Sequence, residues 1–303
     1  MERSVHAITG AFGYSGMHIA RLLVARGERV RNLTGHPSRP DPFDGRVETL
    51  PFRFDDAAAM RKALEDVRVL YNTYWVRFDH GAATFARAVE NSRALFRAAA
   101  EAGVERVVHV SITNPSLDSA LPYFRGKAET EHALRDSGLS HAVLRPAVFF
   151  GGRDVLVNNI AWLLRRLPVF GIAAGAYGIQ PIHVEDVASL AVDQGARRED
   201  VVLDAVGPET FGFEELVRLV RRAIRSRALV LPVPKWFLLG AASLVGAVVE
   251  DVVLTRHEVE GLTANLLVSK EPPSAPTRFS EWLSTSAGRL GVDWASELRR
   301  HYR

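Results

Sequence analysis

Tyr123 and Lys127 are the two residues of the chain whose types and spacing best suit proton transfer. On a helix, side chains four residues apart project from the same face. An ammonium group beside a phenol favours the phenolate and lowers the pKa of the phenol toward neutrality. Such a tyrosine can protonate a carbonyl oxygen or deprotonate an alcohol.

Hydroxyl groups also occur just upstream, where the apolar run Val107–Val110 ends in Ser111, Ile112 and Thr113. A serine or threonine at the end of a buried strand can hydrogen-bond a substrate oxygen beside Tyr123. Ser111 and Thr113 are therefore both candidates for a catalytic hydroxyl. The alternative is that Ser111 only caps the end of the strand through a local hydrogen bond.

Three glycines near the start of the chain indicate a phosphate-binding turn. Gly10, Gly13 and Gly16 follow the apolar run 5–9 and precede a helical pattern that begins at Met17. The first glycine permits a tight turn, the second lets the backbone approach a pyrophosphate, and the third lets the helix pack closely on the sheet. The N-terminus of that helix then faces the anion. The spacing and its context predict a dinucleotide site.

The elements that must position these groups alternate regularly through the first half of the chain. Apolar runs typical of strands lie at 5–9, 30–34, 47–52, 69–74, 107–111 and 142–144, and helical periodicity lies between them at 17–26, 57–64, 82–102 and 127–136. Strands that alternate with helices predict an α/β fold with a doubly wound, Rossmann-type parallel sheet.

The alternation loosens after Pro146, where glycine-rich loops surround one predicted helix at 157–166. The sheet is predicted to resume at 180–183, followed by a helix from Val184 and a strand at 201–206. We therefore predict an NAD(P)-binding domain over 1–150 plus about 180–206. The predicted substrate-binding lobe covers 151–179 plus 207–303 and is mostly helical. A ligand would bind beyond the carboxyl ends of the strands.

The segment 236–249 is apolar but too short to span a bilayer, so no transmembrane segment is predicted. A helix buried in the second lobe is the favoured interpretation, and an interfacial helix on lipid is the alternative.

Composition excludes several classes of function. The net charge is +3 and the basic residues are scattered, which disfavours nucleic-acid binding. The absence of cysteine excludes disulfides, thiolate metal sites and cysteine nucleophiles. No metal site is predicted, because His257 has no second histidine four residues on. The first strand begins close to Met1, leaving no room for a signal peptide, so a cytoplasmic location is expected.

These motifs together resemble the short-chain dehydrogenase/reductase superfamily. The matching features are the glycine turn after Thr9, Asn91, Ser111, the Tyr123 and Lys127 pair, and Leu144-Arg145-Pro146. The resemblance is strongest to the extended and atypical branches, which include sugar-nucleotide epimerases, NmrA-like proteins and relatives of an accessory subunit of respiratory complex I. It covers about the first two thirds of the chain.

The resemblance implies a role for each matching position. The three glycines and the backbone from Phe12 to Ser15 would hold the cofactor pyrophosphate, and Lys127 would bind the nicotinamide ribose and tune Tyr123. Thr73 and Tyr74 would cover the adenosine side, and the segment from Pro146 to Phe149 would line the nicotinamide. The full expected cofactor-binding set is Thr9, Gly10, Phe12, Gly13, Tyr14, Ser15, Gly16, Thr34, His36, Arg39, Thr73, Tyr74, Lys127, Pro146, Val148 and Phe149.

The end of the second strand bears on the choice of coenzyme. No acid follows Thr34, whereas His36 and Arg39 are available to meet a 2′-phosphate. This pattern favours NADP over NAD. Two features depart from the family pattern. Only a short loop separates Ser111 from Tyr123, which favours the atypical branch, and Arg53 stands where an adenine-contacting aspartate is expected, which favours a non-catalytic relative.

Three functions are compatible with these residues. The first is an NAD(P)(H)-dependent oxidoreductase acting on a small carbonyl or alcohol substrate. The second is a non-catalytic NAD(P)-binding sensor or assembly factor. The third is an NAD-dependent sugar-nucleotide epimerase or dehydratase, for which Arg153, Arg165 and Arg166 would bind the diphosphate. The helical segment 82–102 could form a homodimer face.

Overall fold

The computed structural model describes residues 4–301. Strands and helices alternate through the first half. In chain order the first elements are β1 (Val5–Thr9), α1 (Tyr14–Ala25), β2 (Arg29–Thr34), β3 (Val47–Pro51), α2 (Ala57–Ala63), β4 (Val67–Asn72), α3 (Phe85–Glu101), β5 (Arg106–Val110), α4 (Pro122–Asp136) and β6 (Ser140–Pro146).

The remaining elements are shorter on average and more often helical. They are β7 (Val148–Phe150), α5 (Leu156–Arg166), β8 (Val169–Ala173), β9 (Gly178–Ile179), β10 (Pro181–His183), α6 (Val184–Gly195), β11 (Val201–Ala205), β12 (Phe211–Gly212), α7 (Phe213–Ala223), β13 (Leu229–Val233), α8 (Lys235–Val249), α9 (Arg256–Thr263), α10 (Phe279–Ser286) and α11 (Glu297–His301).

Seven parallel strands form the main sheet in the order β3-β2-β1-β4-β5-β6-β11. The chain winds outward in one direction from β1 to β3 and in the other from β4 to β11. The order therefore reverses between β1 and β4, where doubly wound sheets open a crevice at the carboxyl ends of their strands. This topology confirms the predicted Rossmann-type α/β fold.

The central strands are buried on both faces, as parallel strands covered by helices must be. Every residue of β1 and β5 is buried. Their sequences accordingly read as nearly continuous apolar runs rather than as alternating ones.

The chain divides into two compact units. The first comprises residues up to Pro146 together with Glu185–Ala205, and the second comprises Ala147–Val184 together with the chain from Val206 onward. Both units are discontinuous in sequence. The first unit holds the seven-stranded sheet.

The strand at 181–183 corrects one expectation. The main sheet does not resume there, because β10 pairs in parallel with β7 in a separate two-stranded sheet. A short apolar run indicates a strand but carries no information about which strand it pairs with. The main sheet resumes only at β11, which pairs with β6.

The apolar segment 236–249 also differs from the favoured prediction of a buried helix. It forms α8, but none of the residues of this helix is buried, and Trp236 is 75% exposed. An apolar sequence predicts that a helix is buried, but the packing of the other elements decides whether anything lies over it. Within residues 4–301, every helix falls short of the length and apolar character needed to cross a bilayer.

Candidate functional site

The glycine turn lies at the carboxyl end of β1, where the sheet order reverses. Gly10 adopts a φ of +78°, a conformation that side chains with a Cβ rarely take. Its N–H donates to the Leu33 carbonyl of β2 at 2.9 Å, and the Gly13 N–H donates to the Gly10 carbonyl at 2.8 Å. The Ala11 N–H donates to Asn32 Oδ1 at 2.8 Å. These bonds hold the turn in one shape.

Close approach explains the other two glycines. A Cβ on Gly13 would lie 3.0 Å from the Gly10 carbonyl oxygen, and a Cβ on Gly16 would overlap that oxygen outright. Gly16 therefore allows the first turn of α1 to press against the turn that precedes it. The close contact is what the predicted packing role of Gly16 requires, and pyrophosphate binding by the turn stays a prediction.

The N-terminus of α1 suits an anion. No side chain of the described chain caps it, and its first turn contains no acidic residue. The first N–H groups of a helix have no partner within the helix, and the helix dipole places partial positive charge there. An anionic phosphate at this end would meet both requirements. The predicted positions Phe12, Tyr14 and Ser15 all belong to this segment.

Thr9 ties the carboxyl ends of β1 and β4 together. Its Oγ1 donates to Asn72 Oδ1 at 3.0 Å and accepts the N–H groups of Thr73 at 2.8 Å and Tyr74 at 3.1 Å. In return, Thr73 Oγ1 donates to the Thr9 carbonyl at 2.5 Å. The predicted site residues Thr9, Thr73 and Tyr74 are therefore in direct contact across the crevice position of the sheet.

Asn72 extends this network to β5. Because its Oδ1 accepts from Thr9 and Tyr74, its Nδ2 must be the donor to His109 Nδ1 at 3.1 Å. Burial lowers the pKa of His109 well below its usual value, and the Lys127 charge lowers it further. This environment favours the neutral form of the His109 imidazole.

Tyr74 is fixed by aromatic and polar contacts. Its hydroxyl accepts the Asn91 Nδ2–H at 2.8 Å, and its ring lies 4.6 Å from that of Phe54. Burial raises the pKa of Tyr74, with the Asn91 bond acting in the opposite direction. Asn91 therefore has a structural role, holding Tyr74 against α3.

The end of β2 carries the residues predicted to choose the coenzyme. Thr34 Oγ1 accepts the His36 N–H at 3.0 Å, and the Arg39 N–H closes a turn onto the His36 carbonyl at 3.2 Å. His36 is exposed and Arg39 is half-buried. Phe12 of the glycine turn stacks on Phe43 at 5.9 Å, which brings the loop after β2 beside the turn.

Helix α4 positions Tyr123 and Lys127. It begins at Pro122, whose fixed φ suits the first position of a helix. Tyr123 is half-buried, whereas Lys127 is 2% exposed and donates from Nζ to the Val110 carbonyl at 2.8 Å. Burial lowers the pKa of Lys127 to about 7, while the Glu131 carboxylate acts to raise it.

Trp75, which follows β4, packs against this helix, and sequence reasoning missed it. Its indole lies 4.6 Å from Lys127 Nζ and meets the Tyr123 ring edge-on at 6.0 Å. Gly126 makes room for it, since a Cβ there would lie 3.0 Å from Trp75 Cη2. Because Trp75 directly follows Tyr74, the end of β4 reaches both the Thr9 network and the Tyr123–Lys127 pair.

An ion pair with a buried carboxylate lies one turn beyond Lys127 and was also missed. Glu131 is 1% exposed and accepts two bonds from Arg145, from Nε at 2.9 Å and Nη2 at 2.5 Å. Ser111 Oγ donates to Glu131 Oε1 at 2.5 Å. The signal was available, since Tyr123, Lys127 and Glu131 repeat every four residues along one face.

The two hydroxyl candidates have different surroundings. The Ser111 proton is used by Glu131, although its oxygen can still accept a hydrogen bond. Thr113 is fully buried, and its N–H donates to the Pro146 carbonyl at 3.0 Å. Both lie on the segment that follows β5.

Other predicted positions lie in the second unit. Val148 and Phe149 belong to β7, and their contact with nicotinamide stays a prediction. Arg165 donates to the carbonyls of Ala287 and Leu290, and Arg166 donates to those of Gly291 and Val292. These bonds give both arginines a structural role in holding the loop after α10.

The comparisons with known proteins agree with this geometry. Residues 10–161 match the NAD(P)H-binding family, and the chain belongs to that family. Its motifs and its relatives are those of the atypical, extended branch of the short-chain dehydrogenase/reductase superfamily.

Two curated relatives and one solved structure illustrate its range. The mitochondrial NADH dehydrogenase [ubiquinone] 1 alpha subcomplex subunit 9 of Rattus norvegicus is 25% identical over 98% of this chain and 80% of that protein. Sterol demethylase protein B of Methylococcus capsulatus is 32% identical over 63% of this chain and 67% of that protein.

An NADPH-dependent quinone oxidoreductase of Escherichia coli, solved with NADPH, has a similar fold. Its TM-score is 0.76 at 21% identity, covering 92% of this chain and 99% of that one. The chain thus carries an NAD(P)H-binding domain, and its relatives include oxidoreductases.

Proposed function

We propose that this protein is an NADPH-preferring oxidoreductase that acts on a small carbonyl compound or secondary alcohol. The observation that carries the proposal is the stripe of Tyr123 and Lys127 on α4, joined through Trp75 to the strand end beside the glycine turn. A proton donor and a dinucleotide cradle are thereby connected through one strand end.

The residues present fit a dinucleotide. Side chains at Gly13 and Gly16 would crowd the Gly10 carbonyl oxygen, so the turn stays compact with its backbone bare. The uncapped N-terminus of α1 would hold the pyrophosphate. When bound, the nicotinamide supplies or accepts the hydride. Tyr123 would give its phenolic proton to the carbonyl oxygen of the substrate, and the Lys127 ammonium would stabilise the phenolate that forms. Ser111 or Thr113 would hold the substrate oxygen.

The preference for NADPH rests on the end of β2. His36 is exposed there and Arg39 is half-buried, and no carboxylate lies between Thr34 and Pro40 in the sequence to repel a phosphate. A 2′-phosphate would pair with the Arg39 guanidinium in a charge-assisted hydrogen bond.

A second candidate is a non-catalytic NAD(P)H-binding subunit or sensor. The similarity to a subunit of the rat NADH dehydrogenase favours it. So does the Trp75 indole, which lies over the ammonium group that a ribose would otherwise engage. In this case the coenzyme would stabilise the fold without being consumed.

Coenzyme binding and turnover separate the two candidates. Calorimetry would measure NADPH and NADH affinity, and absorbance would follow NADPH oxidation with a panel of aldehydes, ketones and quinones. For the enzyme we expect Tyr123→Phe to lower kcat roughly 100-fold or more, while the Kd for NADPH stays within about twofold.

Tyr177→Phe is the matched control, because it removes a hydroxyl whose partner is the Ala173 carbonyl in the second unit. Tight NADPH binding without turnover that depends on Tyr123 would support the sensor. The absence of binding by either coenzyme would contradict both candidates.

A further inference from the structure

Helix α8 in the second unit presents an unusual surface. Its 15 residues include none that is buried, and Trp236, Phe237, Leu244 and Val248 are 75%, 52%, 74% and 81% exposed. No charged residue occurs from Trp236 to Val249. A helix face that is exposed to water normally carries polar residues. The exposed face of α8 is apolar instead, which indicates a binding surface.

The ribbon beneath α8 extends the same surface. In the pair formed by β8 and β13, Leu229 lies opposite Val169, Leu231 opposite Gly171, and Val233 opposite Ala173. Leu238 of α8 and Val233 both pack against Gly171. Since side chains alternate along a strand, Val169, Leu229 and Leu231 belong to the face on which α8 lies.

Helix α8 covers only part of this ribbon face. Val169, Leu229 and Leu231 remain 42%, 57% and 43% exposed beside the helix. We call the exposed apolar side chains of this helix and of the ribbon on which it packs the apolar face: Val169, Leu229, Leu231, Trp236, Phe237, Leu244 and Val248.

Basic residues flank this apolar face in the chain. Arg225 and Arg227 directly precede β13, and Lys235 begins α8; all three are exposed. Within residues 4–301, neither Arg225 nor Arg227 forms an ion pair with a carboxylate. Lys235 Nζ donates to the Thr263 hydroxyl at 2.8 Å. This acceptor is neutral, so the bond does not neutralise the lysine charge.

We propose that the apolar face binds the surface of a lipid bilayer that contains anionic headgroups. Helix α8 would lie in the interface, with Phe237, Leu244 and Val248 among the acyl chains and Trp236 at the headgroup level, where tryptophan is preferred. Arg225, Arg227 and Lys235 would pair with the headgroups. At about 22 Å the helix is too short to span the hydrocarbon core of about 30 Å, so the attachment is peripheral.

The test uses the full chain and sedimentation with vesicles. Vesicles of phosphatidylcholine with about one third phosphatidylglycerol would be compared with phosphatidylcholine alone. We expect binding to the anionic vesicles, at least tenfold weaker binding to the neutral ones, and a blue shift of fluorescence that is lost in Trp236→Phe. Leu244→Glu combined with Val248→Glu should reduce binding at least tenfold.

Val292→Glu is the matched control, because Val292 is an apolar residue of the same unit that is 54% exposed and lies outside the face. Arg225→Gln with Arg227→Gln should weaken binding to anionic vesicles only. Circular dichroism and NADPH affinity would confirm that each variant is folded. The fluorescence shift of Trp236 is measured on the unsubstituted protein, so it reports membrane binding without any change of charge or packing.

Two outcomes would overturn the proposal. One is equal vesicle binding by the Leu244→Glu, Val248→Glu variant and the Val292→Glu control. The other is no binding of the parent chain to anionic vesicles. If light scattering then shows a dimer that Leu244→Glu dissociates, the face belongs to a second copy of the chain.

Discussion

At the scale of single residues, the proposed chemistry depends on Tyr123, Lys127 and Glu131, which lie along one face of α4. Lys127 has one carbonyl acceptor and an indole face, while Glu131 has a bidentate arginine and a serine. Burying an ammonium with so few partners favours its neutral form. The Glu131 charge opposes this effect and keeps the pKa of Lys127 from falling below about 7.

We therefore expect Glu131→Gln to change the pH dependence of the proposed reaction. Loss of the carboxylate removes the charge that raises the pKa of Lys127, so that pKa falls below about 7. If the Lys127 ammonium is required, activity is lost as pH rises through this pKa. The alkaline limb of the kcat/KM profile should then move to lower pH by about one unit.

Glu129→Gln on the same helix is the control for this prediction. Glu129 lies 4.0 Å from Arg93 and takes no part in the Lys127 cluster. Glu131→Gln should also lower the free energy of unfolding by about 3 kcal/mol, because the half-buried Arg145 guanidinium loses its charged partner. Superimposable pH profiles for the two variants would refute the proposed role of Glu131.

The sequence could predict only part of this cluster. Tyr123 and Lys127 lie on one helix, so their spacing alone relates them, and Glu131 continues the same repeat. Trp75 reaches Lys127 from another element, and no local pattern encodes a contact across so many residues. The bond between Ser111 and Glu131 likewise depends on how α4 packs on β5.

At the scale of elements, the proposed coenzyme binding depends on β1, the glycine turn and α1. Hydrogen bonds to Leu33 and Asn32 of β2 hold the turn in one shape. A site that is already ordered loses less entropy when a ligand binds. The packing of Gly16 on the Gly10 carbonyl is the tightest contact in this arrangement.

We expect Gly16→Ala to impair coenzyme binding more than it impairs folding. The added Cβ overlaps the Gly10 carbonyl oxygen, so either the turn or the first turn of α1 must move. The Kd for NADPH should rise roughly tenfold or more, which corresponds to about 1.4 kcal/mol. Isothermal calorimetry would measure it. Gly288→Ala, whose Cβ would meet nothing within 4 Å, should leave both Kd and stability nearly unchanged.

Element boundaries show where sequence reasoning reaches its limit. The helix predicted over 127–136 begins at Pro122, and the signal was present, because proline is common at the first helical position. The helix predicted from Met17 begins at Tyr14, since no side chain marks its cap. The type of each element followed from periodicity, whereas its ends depend on capping and on tertiary contacts.

At the scale of the whole molecule, the alternation of strands and helices was enough to predict the doubly wound sheet. The right-handed crossover rule leaves few ways to arrange such a chain. The alternation of strands and helices did not predict that β10 would pair with β7, or that α8 would remain exposed. Both depend on which surfaces meet in the second unit, and that information is not periodic along the sequence.

Two buried groups give the free energy of unfolding opposite dependences on pH. Burial lowers the pKa of Lys127 to about 7 in the first unit, and burial raises the pKa of Asp154 to about 7 in the second. The penalty for burying charged Lys127 is present at low pH. It disappears as the pH rises from about 7 toward 10.5, the pKa of lysine in the unfolded chain. The penalty for Asp154 is absent at low pH and grows as pH rises from its unfolded value near 3.8 to about 7.

Asp154→Asn isolates the second of these effects. One carboxylate oxygen accepts the N–H groups of Val157 at 2.7 Å and Asn158 at 3.3 Å, and an asparagine oxygen can accept the same bonds. The other oxygen is buried, and the Gly151 N–H acts with those of Val157 and Asn158 to limit the rise in the pKa. We expect the variant to match the parent near pH 4 and to exceed its free energy of unfolding by about 3 kcal/mol near pH 8. Urea unfolding across this range would measure the difference, with the exposed Asp293→Asn as control. A constant difference between pH 4 and 8 would mean that Asp154 ionises normally despite its burial.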